Sequence, residues 1–367
     1  MSAPAALNVA LVGMGYAGQT FHAPLILAES GLRLTHVISS QPDTVRAVLA
    51  ARGGPQGVHI APDLAPALAD PGVDLVVLAS PNSAHAPQAL AALAAGKHVV
   101  IDKPMALDAA QAQTLADAAT ASGRHLSVFH NRRWDDDFLA VQALLHSGLL
   151  GEVRHAALSF DRFRPQPRER WRESPAPGGG LWMDLGPHLI DQALRLFGAP
   201  QQIWARLDTL RPGGQGVDDA VAHLFYASGL RVTLQASMLT AQPRPRFALH
   251  GTHGSAHTLG LDGQEDALKA GHTPGQPVEG RPWGASGRTL NLALADASGQ
   301  ISTRTQALPC GDYGAYWRGL VAHLRGAGPA PVLREEVLAV MRLLDAGAAS
   351  SESGRVQGTA GVQDTPR

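Results

Sequence analysis

The sequence predicts an α/β protein. An N-terminal Rossmann domain with a doubly wound parallel sheet is followed by an α+β domain with an open-faced, mostly antiparallel sheet. Over residues 1–130, brief β-branched apolar runs alternate with segments of helical period, the pattern of a parallel sheet covered on both faces. From residue 131, longer strand-like runs follow one another with little helix between them, which is typical of an antiparallel sheet with one covered face.

Six short apolar runs indicate the strands of the first domain. Each is bounded by Gly, Ser, Pro or Asp and is too short for a typical helix. Between them, Ser83–Ala95 and Ala109–Ser122 carry apolar residues three to four positions apart and predict helices. The predicted strands are Leu7–Val12, Leu32–Ile38, Val58–Ile60, Leu75–Leu78, Val99–Ile101 and Leu126–Phe129.

The second domain is predicted over residues 131–350. One of its helices should run from Pro187 to Phe197, because Pro favours the first helical position and Gly198 would end the helix. The Gly- and Pro-rich residues 262–288 predict a long surface loop, and residues 351–367 predict a flexible tail. Further strands are expected at Val153–Phe160, Gln202–Leu207, Ala220–Tyr226, Arg231–Ser237 and Arg246–His250, and further helices at Phe138–Ser147, Tyr313–Arg325 and Glu335–Ala348.

Composition excludes several classes of protein. Lys and Arg number 30 against 31 Asp and Glu, and this net charge of −1 argues against binding of nucleic acid or of an anionic membrane. One cysteine, Cys310, excludes an internal disulfide, and neither H-E-x-x-H nor paired Cys/His spacing predicts a metal site. No apolar run approaches the roughly 20 residues of a membrane span. We therefore expect a cytoplasmic protein that holds no metal.

The segment Gly13–Gly18 reads GMGYAG and fits the dinucleotide motif G-x-G-x-x-G. It follows the first predicted strand and opens a helix. The first glycine permits the tight turn, the second lets a diphosphate approach the backbone, and the third allows close packing of helix and strand. The motif predicts a nicotinamide dinucleotide cofactor, with a plain glycine turn as the alternative. The candidate residues are Gly13, Gly15, Tyr16, Ala17 and Gly18.

No acidic residue ends the second predicted strand. About 20 residues past its last glycine, the motif usually carries Asp or Glu for the ribose 2′-hydroxyl. This chain has Ser39 and Ser40 there, followed by Asp43 and Arg46. Two hydroxyls tolerate a 2′-phosphate better than a carboxylate does, which favours NADP over NAD. Alternatively, the two serines begin a turn and cap the next helix.

The loop after the fourth predicted strand carries further polar side chains. Ligands of open α/β sheets lie beyond the carboxyl ends of the strands, so this loop is expected to contact the cofactor. Capping of the next helix by Asn82 explains part of the same pattern. The candidate cofactor contacts are Ser80, Pro81, Asn82 and His85.

The triplet Asp102–Pro104 follows the fifth predicted strand. Pro104 keeps Lys103 out of the helical region and so holds an ammonium group at the same sheet edge as the glycine motif. A lysine in this position can polarise a carbonyl or stabilise an alkoxide. The alternative is a solvated surface lysine.

The segment Gly178–Asp191 is the richest in candidate functional groups. Because Pro187 should begin a helix, Asp184 is expected just before it and His188 in its first turn. Two interpretations stay open. His188 either lies on a hydrated helix face or projects with Asp184 into a cleft, where its imidazole suits proton transfer near neutral pH.

These motifs, in this order, resemble those of the Gfo/Idh/MocA family, named for glucose–fructose oxidoreductase, inositol dehydrogenase and a rhizopine-catabolism protein. They are the glycine motif, the Asp102–Pro104 triplet and Gly179–Asp191. Phe21–Leu25 and Asn131–Trp134 are similar to one bacterial branch of the family. The resemblance extends from about residue 7 to about residue 350.

The resemblance implies an NAD(P)-dependent oxidoreductase that acts on a hydroxyl of a small sugar or polyol, or on the matching carbonyl. It implies that Lys103, Asp184 and His188 form the catalytic group. The family usually has Glu where this chain has Asp102, which is one methylene shorter and is also a candidate cofactor contact. The residues implied to border cofactor or substrate are Asn131, Arg133, Trp134, Arg170 and Trp171.

Two other activities use the same fold and stay open at this point. One is a nicotinamide-binding sensor without net turnover, and the other is an NAD-dependent glycoside hydrolase. The uncovered sheet face of the second domain is expected to be broadly apolar and therefore costly to expose. We expect it to pack against another copy of the chain in a homodimer or homotetramer.

Overall fold

The protein is described here by a computed structural model that covers residues 5–362. Within these residues the strands are β1 (Leu7–Val12), β2 (Leu32–Ile38), β3 (His59–Ala61), β4 (Leu75–Leu78), β5 (His98–Ile101), β6 (Leu126–Val128), β7 (Val153–Asp161), β8 (Gln202–Asp208), β9 (Asp219–Phe225), β10 (Arg231–Ser237), β11 (Phe247–Gly251), β12 (Gly254–Thr258), β13 (Thr289–Ala295), β14 (Ile301–Ala307) and β15 (Gln357–Gly358). The α-helices are α1 (Ala23–Ala28), α2 (Pro42–Ala51), α3 (Ala65–Ala69), α4 (Asn82–Ala94), α5 (Ala109–Ser122), α6 (Asp136–His146), α7 (Leu181–Phe197), α8 (Gln264–Lys269), α9 (Gly314–Leu324) and α10 (Arg334–Ser353).

The chain forms two compact units, and both are discontinuous in sequence. The first contains the chain up to Trp134 together with Gly263–Gly284 and Asp312–Arg334, and so includes α8 and α9. The second contains Asp135–Asp262, Ala285–Gly311 and the chain from Glu335 onward. The division predicted at residue 131 differs, because it places Gly263–Gly284 and Asp312–Arg334 in the second domain. Local composition does not show against which core a helix is buried.

The first unit has the doubly wound parallel sheet that the sequence predicts. Its strand order is β3-β2-β1-β4-β5-β6, and every pair is parallel. All four residues of Leu75–Leu78 are fully buried, as are Val99–Ile101, which is why these strands read as continuous apolar runs. The order reverses between β1 and β4, the position at which such sheets bind dinucleotides.

The helix α5 illustrates how local sequence sets the boundaries in this unit. The Asp108 side chain accepts a hydrogen bond from the Gln111 N–H at 2.7 Å and so caps the first turn. Gly123 ends the helix with φ +62°, a left-handed conformation that glycine adopts without steric cost. The prediction of Ala109–Ser122 is confirmed to the residue.

The second unit has a mostly antiparallel sheet, which also confirms the predicted fold class. Its order is β14-β13-β12-β11-β7-β10-β9-β8-β15, and β10 with β7 forms a parallel pair. The helix α7 packs on one face against β7, β9 and β10. The other face is mixed rather than broadly apolar, because it presents part-exposed Trp204, Val221, His223, Thr233 and Gln235.

The helix α7 begins six residues before the predicted start. It starts at Leu181 after Gly180, whose φ of +84° lets the chain turn into the helix, and Pro187 lies inside it. Buried Leu181, Trp182 and Leu185 anchor this extra N-terminal stretch in the core. Packing therefore outweighs the helix hydrogen bond that Pro187 cannot donate. Asp184 consequently lies in the first turn rather than before the helix.

Two segments predicted to lack regular structure contain some. The predicted loop 262–288 includes α8, whose Gln264 and Leu268 are buried. In the predicted tail, α10 continues to Ser353 and β15 pairs with β8. The last five residues of the predicted tail, 363–367, lie outside the described residues.

Over residues 5–362, the helices are all too short or too polar to cross a lipid bilayer. The same part of the chain brings no three His, Cys, Asp or Glu side chains into an arrangement that would hold a metal ion.

Candidate active site

The glycine loop leaves β1 at the carboxyl edge of the first sheet. Gly13 has φ +94°, and a Cβ there would lie 2.7 Å from the Ala79 carbonyl oxygen. A Cβ on Gly18 would overlap the Gly13 carbonyl oxygen, whereas one on Gly15 would meet no atom of residues 5–362 within 4 Å. The fold therefore requires the first and third glycines, and the second borders open space. That cradle fits a diphosphate approaching the backbone.

The residues between the second and third glycines begin the helical segment. Ala17 is buried and Tyr16 is half exposed. Gly18–His22 forms a π-helical turn that continues into α1. The Tyr16 hydroxyl donates a 2.5 Å hydrogen bond to Oε1 of Glu265 on α8, within the same unit.

Ser39 and Ser40 lie directly after β2. The Ser39 Oγ accepts the N–H of Gln41 at 3.1 Å, as in a turn, and Ser40 is exposed. The nearest carboxylate along the chain, Asp43, pairs with Arg46 at 2.7 Å on the surface of α2. The residues directly after β2 therefore offer two hydroxyls, and Arg46 lies on α2 one helical turn after Asp43.

The loop after β4 is joined to the loop after β5 by His85. Its Nδ1 lies 2.8 Å from the Pro104 carbonyl oxygen, and its Nε2 lies 3.0 Å from the Ser80 carbonyl oxygen. Burial lowers the pKa of this imidazole. Asn82 is buried at the start of α4, beside exposed Pro81. His85 thus lies between the two loops, and its neutral ring can donate to one of the two carbonyl oxygens.

The Asp102–Pro104 triplet follows β5, and the peptide bond between Lys103 and Pro104 is cis. Lys103 is half buried. Burial acts to raise the pKa of Asp102, but the imidazole of His22 and the ammonium of Lys103 outweigh it and lower that pKa. An ionised carboxylate therefore precedes the lysine.

The segment Asn131–Trp134 forms a 3₁₀ turn after β6 in which Asn131 and Arg133 are buried. The Arg133 guanidinium donates to the Pro331 carbonyl oxygen at 3.4 Å. The Trp134 ring meets Tyr316 edge-on, with 5.9 Å between centroids. Packing within the first unit therefore fixes this segment.

In the second unit, Asp184 and His188 lie one turn apart on the same side of α7. The Asp184 carboxylate has Arg162 Nη1 at 3.5 Å and Arg172 Nε at 3.8 Å. His188 is 6% exposed. The helix thus presents a carboxylate flanked by two guanidiniums and, one turn later, an imidazole.

The polar side chains that follow His188 on α7 do not form a hydrated surface. Asp191 and Gln192 are buried, and Gln192 Oε1 accepts a hydrogen bond from the guanidinium of buried Arg246. Arg195 pairs with Glu336 at 2.8 Å. The interpretation of His188 as part of a wet face is therefore wrong, because the same face is packed and internally paired.

Arg170 and Trp171 lie at a short 3₁₀ turn, Trp171–Glu173, ahead of α7. Arg170 Nε donates to Glu173 Oε1 at 2.7 Å, and the Arg172 guanidinium lies 4.5 Å above the Trp171 ring. The side chain that stacks on Trp171 is therefore also one of the two that flank Asp184.

The structure groups the candidate residues by unit. The glycine loop, Ser80 and Lys103 follow β1, β4 and β5, which are neighbours in one parallel sheet, so they share its carboxyl edge. Asp184, His188, Arg170 and Trp171 belong to the second unit. Sequence reasoning missed Glu265, the partner of Tyr16. No local pattern signals it, since 249 residues separate the two.

Comparison with known proteins agrees with this architecture. Residues 7–130 match the model described as "Oxidoreductase family, NAD-binding Rossmann fold", and residues 138–257 match the GFO/IDH/MocA C-terminal domain. The chain is 42% identical over 346 residues to the oxidoreductase YdgJ of Escherichia coli, covering 94% of this chain and 96% of that protein.

Two further relatives extend the comparison. The chain is 34% identical over 351 residues to scyllo-inositol 2-dehydrogenase (NADP(+)) IolW of Bacillus subtilis, covering 95% of each chain. A solved oxidoreductase structure from Yersinia pestis, YPO2259, superposes with a TM-score of 0.89 at 42% identity and covers 96% of this chain and 97% of that one. The chain therefore belongs to the GFO/IDH/MocA family of oxidoreductases with an NAD-binding Rossmann domain.

Proposed function

We propose that the protein transfers a hydride between a nicotinamide cofactor and the carbinol or carbonyl carbon of a small sugar, polyol or related carbonyl compound. The observation that carries the proposal is the position of Lys103. It follows β5, two strands from β1, at the sheet edge where the open cradle at Gly15 lies. An ammonium at the dinucleotide edge suits a substrate oxygen that gains negative charge.

The nicotinamide ring, when bound, supplies or accepts the hydride. His188 takes the hydroxyl proton during oxidation of the substrate and returns it during reduction. Lys103 stabilises the charge on the same oxygen, and Asp184 hydrogen-bonds the substrate or orients His188. These roles are supported by the family motifs and by the i, i+4 placement of Asp184 and His188 on α7.

We propose NADP as the preferred cofactor, with NAD as the alternative. The hydroxyls of Ser39 and Ser40 leave room for a 2′-phosphate, and the relative IolW is named for NADP(+). The residues proposed to hold the cofactor are Gly13, Gly15, Tyr16, Ala17, Gly18, Ser39, Ser40, Ser80, Pro81, Asn82, His85, Asp102, Lys103 and Asn131.

The substrate is proposed to be small and polyhydroxylated. The name of IolW, an inositol dehydrogenase, supports this class. A pocket built for hydroxyl groups leaves buried polar atoms unpaired when a hydroxyl is missing, so discrimination between substrates should be steep. The residues proposed to contact substrate are Lys103, Arg133, Trp134, Arg170, Trp171, Asp184 and His188.

We also propose a homodimer or homotetramer formed through the sheet of the second unit. Its part-exposed face carries Trp204 and Val221 among polar side chains and offers a mixed surface to a second copy. Light scattering at micromolar concentration should give a multiple of the 38.4 kDa chain mass. Particles of the single-chain mass alone would contradict this proposal.

The test of the activity begins with fluorescence titration of NADPH and NADH. The preferred coenzyme is then used in an absorbance screen of polyols, sugars and matching carbonyls. Lys103→Met and His188→Ala should each lower kcat/KM by about 10²–10⁴-fold, whereas His146→Ala, at an exposed position, should not. Unchanged turnover in both site variants would remove the assignment. Binding without turnover would indicate a sensor, and sugar release without net reduction would indicate a hydrolase.

A further inference from the structure

A segment from the second half of the chain is fixed against the cofactor-binding unit at both ends of α8. At its start, the Gln264 side chain donates to the Trp134 carbonyl oxygen at 3.1 Å and accepts the Tyr313 N–H at 2.7 Å. At its end, the Arg52 guanidinium donates to the Leu268 carbonyl oxygen at 2.5 Å. The helix is therefore held in one place relative to the glycine loop.

Glu265 on this helix gathers three donors. Its Oε1 accepts the Tyr16 hydroxyl at 2.5 Å and the Lys269 ammonium at 2.9 Å, and its Oε2 accepts Arg132 Nη2 at 2.7 Å. Burial acts to raise the pKa of Glu265, but Arg132, Tyr16 and Lys269 outweigh it and lower the pKa to about 2. The carboxylate is therefore ionised throughout the working range of pH and its bonds are charge-assisted.

Two of the three donors of Glu265, Tyr16 and Arg132, come from segments proposed to bind the cofactor, whereas Lys269 lies on α8 itself. Tyr16 directly follows Gly15, the glycine that borders the open cradle. Arg132 follows Asn131 in the turn after β6, and its Nη1 lies 3.3 Å from the Tyr313 hydroxyl. The Tyr16 ring also meets Phe21 edge-on at 6.1 Å. One carboxylate thus holds the glycine loop and the Asn131 turn in fixed positions.

We propose that Glu265 is a positioning residue for the nicotinamide cofactor, acting through Tyr16. Its hydrogen bond fixes the side chain of a loop residue whose backbone borders the diphosphate cradle, so the loop is already ordered when the cofactor arrives. Preordering one such side chain strengthens binding by about 3- to 10-fold. The inference rests on the proposed cofactor, and it adds a residue outside the glycine motif that sets cofactor affinity.

A double-mutant cycle tests the inference. NADPH and NADH dissociation constants are measured by fluorescence for the wild type, Glu265→Gln, Tyr16→Phe and the double variant, well below the unfolding temperature of each. Each single change should weaken binding by about 3- to 10-fold. The double variant should be no weaker than the worse single one, because both changes act on the same bond: Glu265→Gln removes its charge and Tyr16→Phe removes its donor. In turnover assays, the loss should fall on the cofactor KM more than on kcat.

The matched control is Asp266→Asn, on the exposed side of the same helix, where the side chain is 85% exposed. It should bind cofactor within twofold of the wild type. Tyr16→Phe should fold even if Glu265→Gln does not, because Glu265 then keeps its ion pairs with Arg132 and Lys269. It therefore tests the Tyr16–Glu265 bond separately from any folding defect. Glu265→Gln binding within twofold of the wild type, or single effects that multiply in the double variant, would overturn the inference alone. Failure of the wild type to bind either nucleotide would overturn the proposed function and this inference with it.

Discussion

The Nε2 atom of His22 lies 3.6 Å from Oδ1 of Asp102, the residue that precedes Lys103. His22 is fully buried, and its ring centroid is 4.8 Å from that of Phe129 and 6.0 Å from that of Trp317. The Asp102 side chain keeps 13% exposure. A buried imidazole therefore lies close to the carboxylate of Asp102, whose backbone leads directly into the proposed catalytic lysine.

The lowered pKa of Asp102 should make its contribution to stability depend on pH. Its pKa is lowered in the folded state, so its contribution is fully present above the unfolded pKa of about 4 and is lost as the pH falls through the lower folded pKa. We expect Asp102→Asn to lose about 1–3 kcal/mol at pH 7. Urea unfolding at pH 7 and pH 3 should show this deficit shrinking in acid.

Asp102→Glu is the matched control for that experiment. It keeps the charge and adds the methylene that the family usually has, so its stability at pH 7 should stay within about 1.5 kcal/mol of the wild type. A deficit of Asp102→Asn that is equal at both pH values would show that charge at this position does not stabilise the fold.

The second and third glycines of the loop should respond differently to alanine. Gly15→Ala adds a methyl to open space, so the unfolding free energy should change by less than about 0.5 kcal/mol while cofactor affinity falls at least about tenfold. Gly18→Ala forces a methyl against the Gly13 carbonyl oxygen and should cost about 1–3 kcal/mol of stability. Thermal unfolding and fluorescence titration measure the two effects. Normal cofactor affinity in Gly15→Ala would contradict a diphosphate at this cradle.

The first sheet could be predicted because its strands carry the signal themselves. Leu75–Leu78 is buried on both faces of the sheet. A short, continuous apolar run of this kind is typical of a strand in a parallel sheet that is covered on both faces. β14 gave no such signal. Ile301–Ala307 is exposed along its whole length, and within the described residues its neighbour in the sheet is β13.

Sequence alone could propose candidate site residues only where they stand in contiguous motifs. The glycine loop, Lys103 and Asp184 each stand in a short pattern that can be read locally. The start of α7 was missed because burial of Trp182 decides it rather than Pro187. The Tyr16–Glu265 bond depends on a return of the chain to the first unit, and tertiary packing alone sets that return.

A histidine cluster in the first unit should make stability sensitive to mild acid. The His125 ring centroid is 4.6 Å from that of His323, and the backbone N–H of His125 donates to Nδ1 of His98 at 3.0 Å. Burial and these neighbouring imidazoles lower the pKa of His125 to about 4. Between pH 6.5 and 4 the His125 imidazole is protonated in the unfolded chain but not in the folded chain. The free energy of unfolding should therefore fall across this range by up to about 3 kcal/mol.

His125→Phe should make that pH dependence shallower, because it keeps the ring contact and removes one of the histidines whose pKa is lowered. Urea midpoints from pH 7 to pH 4 measure it. His257→Phe changes an exposed histidine on β12 and should leave the slope as in the wild type. An equally steep slope in His125→Phe would place the proton uptake elsewhere.

In the second unit, Arg288 pairs with two fully buried carboxylates at the start of α6. Its guanidinium contacts Asp136 and lies 3.1 Å from Asp137 Oδ2. Removal of one partner from a buried ion cluster leaves charge uncompensated, which typically costs about 3–5 kcal/mol. We expect Arg288→Met to lose stability of that order at pH 7 in urea unfolding.

The deficit of Arg288→Met should shrink in acid. Burial already raises the pKa of Asp136 with the arginine present, and without it the folded chain gains still more from protonating this carboxylate. Unfolding at pH 7 and pH 4.5 should therefore show a smaller deficit at the lower pH. Arg304→Met, at an exposed position on β14, should cost less than about 0.5 kcal/mol at either pH. A loss below about 1 kcal/mol in Arg288→Met would show that other groups stabilise the two buried carboxylates when the guanidinium is absent.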